Sequence, residues 1–318
     1  MPQRNPDGRG APVADVVVVG AICLDVKGRV PVGSVPATSN SGVVRVSAGG
    51  CGRNMAENLA RLGTSVTLFS AVCGDDFGRT LVTQTERAGV NVEHVIFDCE
   101  LHSATYIALL GEHGQLLMGV DDTRIIGVLT PRFIRERAAL LAGARMVLID
   151  ANLSLESAAA LLEICAAAAV PVALAPVALE PALRYRPLLG SFSMVVPNRV
   201  EAEALTGLTI GDTEQAVRAA QQLVACGVQI AIVTLGERGL VYATPSLSGH
   251  VPAIDIEVQD PTGAGDALTA TVVYALLNTI PIDEAVRLGV SAATLTLDSV
   301  ETVRPDLSLE SLYAQLVI

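Results

Sequence analysis

The chain contains no tryptophan, and aromatic residues make up only 3% of its 318 positions. Its core must therefore be aliphatic, built from Val, Leu, Ile and Ala. Basic residues are scarce as well. There are 21 Lys and Arg against 33 Asp and Glu, a formal net charge of −12, and no Lys/Arg run occurs. This balance argues against a nucleic acid polymer or an anionic membrane as partner, since both recruit through clustered positive charge. A single nucleotide needs only local donors and stays admissible. No apolar run reaches the roughly 18 residues of a membrane span. The richest stretch, 157–174, carries Glu163 and breaks at Pro171, which reads as a helix followed by a buried strand. The six cysteines (Cys23, Cys51, Cys73, Cys99, Cys165 and Cys226) show neither paired metal spacing nor Cys-x-x-Cys. Buried free thiols in a reducing cytoplasm are expected. His94, His102, His113 and His250 are isolated, which argues against a zinc site.

What is present is a chain long enough for a large core, with 51% apolar residues. Residues 1–12 are polar, rich in Pro and Gly, and lack an apolar signal core, so a frayed tail is expected. Val16–Gly20 has the look of a strand buried on both faces of a parallel sheet. Gly52–Gly63 places apolar residues at helical spacing and ends on a glycine cap. Beyond it, strands near 66–72, 145–150, 171–175, 193–197, 229–234 and 239–243 alternate with helical patterns. Those helices fall near 77–88, 131–142, 155–169, 200–206, 213–226, 264–278, 282–297 and 308–316. Such alternation implies βαβ units and a mostly parallel sheet covered by helices. Strands at 24–32, 43–47, 105–110 and 115–120, the last two around a Glu-His-Gly turn, break that rhythm. They predict a small separate sheet projecting over the edge where ligands bind in such folds. There is no internal repeat and no low-complexity linker. The expectation is one α/β domain over 1–318 with lid strands from about 24–47 and 105–120.

The most informative segment is Asp260-Pro261-Thr262-Gly263-Ala264-Gly265-Asp266, followed at once by a helical pattern. A Gly-rich turn feeding a helix exposes backbone N–H groups at the positive end of the helix dipole, a site suited to phosphate. A carboxylate there would repel phosphate. Asp266 makes better sense as the proton acceptor of a hydroxyl about to attack phosphorus. The alternative is an ordinary tight turn with a first-turn acid. Near the other end, Asp25 follows the first strand, and Ser47-Ala48-Gly49-Gly50-Cys51-Gly52-Arg53-Asn54 leads into a helix. Asp25 can accept hydrogen bonds from vicinal hydroxyls, Gly49 and Gly50 let a ligand approach the backbone, and Asn54 can reach a sugar hydroxyl. A turn aspartate and a helix cap are the structural alternatives.

The Asp-x-x-Gly-Ala-Gly-Asp string and the Asp25, Gly49-Gly50, Asn54 spacing together resemble the two signatures of the ribokinase-like (PfkB) family of sugar and nucleoside kinases. That resemblance implies a three-layer α/β/α fold with a small β-sheet lid, and Mg-ATP as donor. It implies Asp266 as base, and Gly263, Ala264 and Gly265 as the anion hole. Leu24-Asp25-Val26-Lys27-Gly28, Thr38-Ser39-Asn40-Ser41-Gly42 and Gly52-Arg53-Asn54-Met55-Ala56-Glu57-Asn58 look like the pseudouridine kinase branch. Ser39, Asn40 and Arg53 accordingly join Asp25, Gly49, Gly50 and Asn54 as implied acceptor-binding residues. Ala175-Pro176-Val177-Ala178 departs from the branch, which usually has Asp and Ser where Ala175 and Ala178 stand; this bears on selectivity.

On the donor side, Asn198 and Glu201 lie three apart at a helix start, which fits a capping box. The resemblance implies instead a hydrated Mg²⁺ near Glu201, with Asn198, Thr234, Gly236 and Gly239 at the nucleotide. It also implies a monovalent cation, K⁺, beside Asp260. No Gly-x-x-x-x-Gly-Lys-Ser/Thr occurs to hold the phosphates in another way. The expected function is transfer of phosphate from ATP to a primary hydroxyl, the 5′ one, of a nucleoside or sugar, with pseudouridine first. The rivals are ribokinase, adenosine kinase or another sugar kinase of the family, and a catalytically silent sugar-binding regulator. A dinucleotide oxidoreductase fits poorly, because the first strand is not followed by Gly-x-Gly-x-x-Gly. Exposed lid edges suggest a homodimer, and the expected location is cytoplasmic.

Overall fold

A computed structural model describes residues 14–316, except 32, 36, 99 and 113–115. The expected tail at 1–12, the tip of the 112–114 turn, Cys99 and His113 therefore lie outside the described residues. The strands are Val16–Val19 (β1), Cys23–Arg29 (β2), Val43–Gly49 (β3), Val66–Cys73 (β4), Val95–Asp98 (β5), Ala104–Leu110 (β6), Leu116–Asp122 (β7), Met146–Asp150 (β8), Val172–Ala175 (β9), Met194–Val195 (β10), Ile230–Thr234 (β11), Leu240–Ala243 (β12) and Ser248–Val251 (β13). The helices are Cys51–Arg61 (α1), Asp76–Arg87 (α2), Pro131–Glu136 (α3), Ala138–Gly143 (α4), Leu155–Ala167 (α5), Leu179–Tyr185 (α6), Arg199–Thr206 (α7), Thr213–Ala225 (α8), Ala264–Leu277 (α9), Ile282–Leu297 (α10) and Leu309–Leu316 (α11).

Strand β1 is four consecutive valines, all buried. Side chains alternate across a strand, so such a run needs cover on both faces. It has that cover. Val17 and Val19 belong to one apolar cluster, with Leu161 of α5 and Leu223 of α8. Val16 and Val18 belong to the other, with Met55 of α1, Val272 of α9 and Val286 of α10. The result is a three-layer α/β/α sandwich. Its sheet has the order β13-β12-β11-β10-β9-β8-β1-β4-β5, parallel except at β12 and β13. The expected helix at 131–142 is broken at Arg137, which separates α3 from α4.

The four strands outside that rhythm make their own sheet, ordered β3-β2-β6-β7. Its register sets two contrasting faces. Asp25 pairs with Tyr106, and Tyr106 with Asp121, so these three side chains stand in a row on one face. The other face carries Val46 opposite Val26, Val44 opposite Gly28, Ile107 opposite Val120 and Leu109 opposite Met118. Several of these are strongly exposed, Val44 at 68% and Met118 at 65%. The polar face looks inward, and the apolar face looks out.

The cysteines differ in part from expectation. All five within the described residues are free thiols, but only Cys23 and Cys165 are buried. Cys226 is exposed because it caps the C-terminus of α8 at the surface, and Cys51 opens α1 beside a cleft.

Candidate active site

A cleft of about 820 Å³ lies between the polar face of the small sheet and the carboxyl ends of β1, β8, β9 and β11. Its position is set by Asp150, the last residue of β8 and wholly buried. Asp150 Oδ2 accepts the N–H of Ala21 at 2.7 Å and of Gly52 at 3.0 Å, and Oδ1 accepts the N–H of Asn152 at 3.0 Å. One carboxylate thus ties the end of β1 to the first turn of α1. Glycine is obligatory at 20, where a Cβ would lie 2.3 Å from Asp150 Oδ2. Burial raises the Asp150 pKa against the pull of those three N–H groups.

That tie places α1 so that Asn54, buried in its first turn, donates from Nδ2 to Asp266 Oδ2 at 2.8 Å. Arg53 Nη1 donates to Asn54 Oδ1 at 3.1 Å, which fixes the amide with its nitrogen toward Asp266. Residues 212 positions apart therefore share one hydrogen bond. Asp266 sits in the first turn of α9, whose N-cap, Gly263, has φ +88°. A side chain there would meet the Thr302 carbonyl at 2.0 Å, so only glycine can shape this turn. Burial lifts the Asp266 carboxyl to about 7, opposed by hydrogen bonds from Asn54 and Cys51 and reinforced by the charges of Asp150 and Asp25. Asp25 also faces the cleft, and burial raises it to about 6 against the nearby charges of Lys27 and Arg53.

The remaining expected residues divide. Gly50, Asn198, Glu201, Thr234, Gly263 and Gly265 line the same cleft. Asn198 and Glu201 form the capping box: Asn198 Oδ1 accepts the Glu201 N–H at 3.0 Å, and Glu201 Oε2 accepts the Asn198 N–H at 2.8 Å. The cap and the cleft position coexist, so the two readings of this pair do not compete. Burial lifts the Glu201 carboxyl to about 7. Among the described residues, no cluster of three or more His, Cys, Asp or Glu is placed to hold a metal. A buried carboxylate that lines the cleft still suits Mg²⁺, which keeps most of its waters and takes one or two carboxylates plus phosphate oxygens.

Others serve the framework. A Cβ on Gly49 would lie 2.2 Å from the Asp25 carboxylate, so this glycine makes room for Asp25 and not for a ligand. Arg53 is buried, ion-paired with Glu57 and bonded to the Ala48 carbonyl at 3.0 Å. It acts on the cleft through Asn54. Ser39 and Asn40 lie in the exposed connection between β2 and β3. Asn40 holds that connection together through Val35 and Thr38, and neither residue lines the cleft. Gly239 is fixed by the β11–β12 hairpin, where its Cβ would strike the Val251 carbonyl at 2.0 Å, while Gly236 (φ +62°) borders open space. Asp260 Oδ1 accepts the Thr262 N–H at 2.9 Å, supporting the turn, and Oδ2 accepts Lys27 Nζ at 2.8 Å.

The cleft also holds residues that sequence reasoning did not single out: Tyr106, Asp121, Asn152 and Arg184. For Tyr106 and Asp121 the only signal is strand register, which no local pattern carries. Pro176, Val177 and Ala178 form an apolar wall. The Ala178 N–H donates to the Pro176 carbonyl at 2.9 Å, closing a γ-turn with Val177 at φ +71°. For a β-branched residue that conformation costs on the order of 1–3 kcal/mol.

Comparison with known proteins agrees with this fold. The pfkB family carbohydrate kinase model matches residues 13–308. The pseudouridine kinase of Escherichia coli (strain K12) is 32% identical over 92% of this chain and 94% of its own. The guanosine-inosine kinase of Exiguobacterium acetylicum is 31% identical over 90% and 95%. A solved ribokinase from Arabidopsis thaliana, complexed with ribose and ATP, superposes with a TM-score of 0.82 at 22% identity, covering 96% of this chain and 99% of that one. The last likeness bears on the fold alone. The chain belongs to the PfkB family of carbohydrate kinases, and its fold is ribokinase-like. It is a phosphotransferase with an alcohol group as acceptor, and kinases of this type use ATP with a divalent metal.

Proposed function

We propose that the protein transfers the γ-phosphoryl group of ATP to the 5′-hydroxyl of a nucleoside, with pseudouridine as first candidate. The reading is carried by one observation, the 2.8 Å hydrogen bond from Asn54 to Asp266 across the cleft. It puts a hydroxyl-binding amide and a carboxylate with pKa about 7 at the same point, a base matched to neutral pH. Asp25 and Asn54 hold acceptor hydroxyls. Asp266 takes the proton of the primary hydroxyl as its oxygen attacks phosphorus in line. The N–H groups of Gly263, Ala264 and Gly265 at the start of α9 stabilise the charge that develops on the transferring group. Glu201 and Asn198 would hold a hydrated Mg²⁺, which when bound would supply neutralisation of phosphate charge. The small sheet covers the acceptor and excludes water. Residues 1–318 act as one kinase domain, with the strands from about 24–47 and 105–120 as its lid.

The choice of a nucleoside is supported by the two curated relatives above, by the room in the cleft and by the polar row Asp25, Tyr106 and Asp121. The apolar wall at 176–178 offers a base no paired hydrogen bonds, and it keeps ribose, adenosine and other sugars as rival acceptors. The outward apolar face of the lid supports a homodimer in which two such faces pack together. Among the described residues no helix is long and apolar enough to cross a membrane, and a cytoplasmic enzyme is the reading we adopt. The test is an ATP-coupled panel of pseudouridine, guanosine, inosine, adenosine, ribose and fructose. Pseudouridine should give the highest kcat/KM. A clear preference for a free sugar would replace this substrate, and no turnover with any acceptor would favour a silent regulator.

A further inference from the structure

The carboxylate of Asp260, where family resemblance implies K⁺, already holds a cation that belongs to the chain. Lys27 Nζ lies 2.8 Å from Asp260 Oδ2, with the two side chains only 6% and 11% exposed. The second oxygen, Oδ1, is taken by the Thr262 N–H. Arg29, two residues along the same strand, donates to the Gln259 carbonyl at 3.3 Å. Strand β2 thus grips the segment just before the Gly263–Gly265 turn at two successive same-face positions. A free monovalent ion on this carboxylate would sit about 4 Å from the ammonium. Repulsion at about 4 Å, with the effective dielectric of about 20 that suits protein sites, weakens ion binding by about a thousandfold. The residues present do not fit a K⁺ bound to Asp260.

We propose that Lys27 is the resident cation of this turn. Its ammonium balances Asp260, and Asp260 in turn fixes Thr262 at the entrance to the anion-binding amides. Lys27 is a positioning residue, and it does what a free ion could not. It comes from the lid strand that also carries Asp25, so the acceptor-binding strand and the anion-binding turn are set as one unit. The proposal rests on the assignment of Gly263–Gly265 as the anion hole.

The test is a titration of the full chain with KCl from none to about 0.1 M at constant ionic strength, with tetramethylammonium as the inert ion. Thermal midpoint and kcat are both read. For the wild type the midpoint should not follow K⁺, and kcat should change by less than about twofold. Lys27→Ala opens the space and leaves Asp260 unpaired. Its kcat should fall by about 10–100-fold without K⁺, and K⁺, but not tetramethylammonium, should restore turnover and raise the midpoint. Lys27→Arg should remain insensitive to K⁺. A wild type whose midpoint and kcat rise with K⁺ would overturn the proposal, and so would a Lys27→Ala protein that is fully active without added cation or is not rescued by it. If Lys27→Ala does not fold, the wild-type titration decides alone. If no acceptor is turned over, the functional reading fails, while the thermal midpoint still reports whether K⁺ binds.

Discussion

Replacing Asn54 by alanine should move the acid limb of the pH profile and not merely lower activity. Asn54 Nδ2 donates to Asp266 Oδ2 at 2.8 Å, and it favours the ionised carboxylate against the burial that lifts this group to about 7. A hydrogen bond to a charged acceptor is worth about 1.5–3 kcal/mol. At about 1.4 kcal/mol per pKa unit, its loss raises the Asp266 pKa by about 1–2 units. At pH 7 the ionised fraction of the base then falls from about one half to about 1–10%. kcat/KM should therefore fall by about 5–50-fold at neutral pH, with most of the loss recovered near pH 9. Lost contact with an acceptor hydroxyl would lower kcat/KM equally at every pH, so the two effects separate. The assay is kcat/KM against pH for wild type and variant, with ATP saturating. An acid limb that stays in place while activity falls uniformly would refute the link between Asn54 and the basicity of Asp266.

Further outcomes follow from the same geometry. The folded-state pKa of Asp266 lies above its ordinary value of 3.8, so folding favours the protonated form and this group's contribution to stability declines as pH rises from about 4 to about 7. Asp266→Asn, neutral throughout, should be more stable than wild type by about 1–3 kcal/mol at pH 8, with the gain vanishing near pH 4; urea unfolding at the two pH values reads it. Asp150→Ala leaves the N–H groups of Ala21 and Gly52 without their acceptor, and should lower stability by about 2–5 kcal/mol. A fall in the urea midpoint too small to match that cost would show that water replaces the carboxylate.

Much of the fold was legible because its signals are local. A four-valine run can only be a strand covered on both sides, and the turn glycines and helical spacings around Gly52–Gly63 and 264–277 mark their own ends. The edge strands β5 and β13 were not legible. Each is only four residues long, and neither Val95-Ile96-Phe97-Asp98 nor Ser248-Gly249-His250-Val251 alternates apolar with polar side chains. Helix α6 was obscured by Pro181 inside its span. At the site, Asp25, Asn54, Asp266 and the Asn198–Glu201 pair were readable as motifs. Asp150, Tyr106, Asp121 and Lys27 were not, because their roles depend on which strand ends meet and how two strands are registered. The same reasoning explains the opposite error at Gly49 and Arg53. Their pattern marks the site, but the side chain or space each provides is directed at a neighbouring residue.

In the proposed reaction Asp266 removes the acceptor's proton inside a cleft that residues from both halves of the chain line. Single-turnover phosphoryl transfer with the best acceptor, at saturating ATP, compares wild type with Asp266→Asn. The variant should transfer phosphate about 10²–10⁴-fold more slowly, with ATP affinity within a few-fold of wild type. An Asp266→Asn protein that transfers phosphate at the wild-type rate would contradict that role.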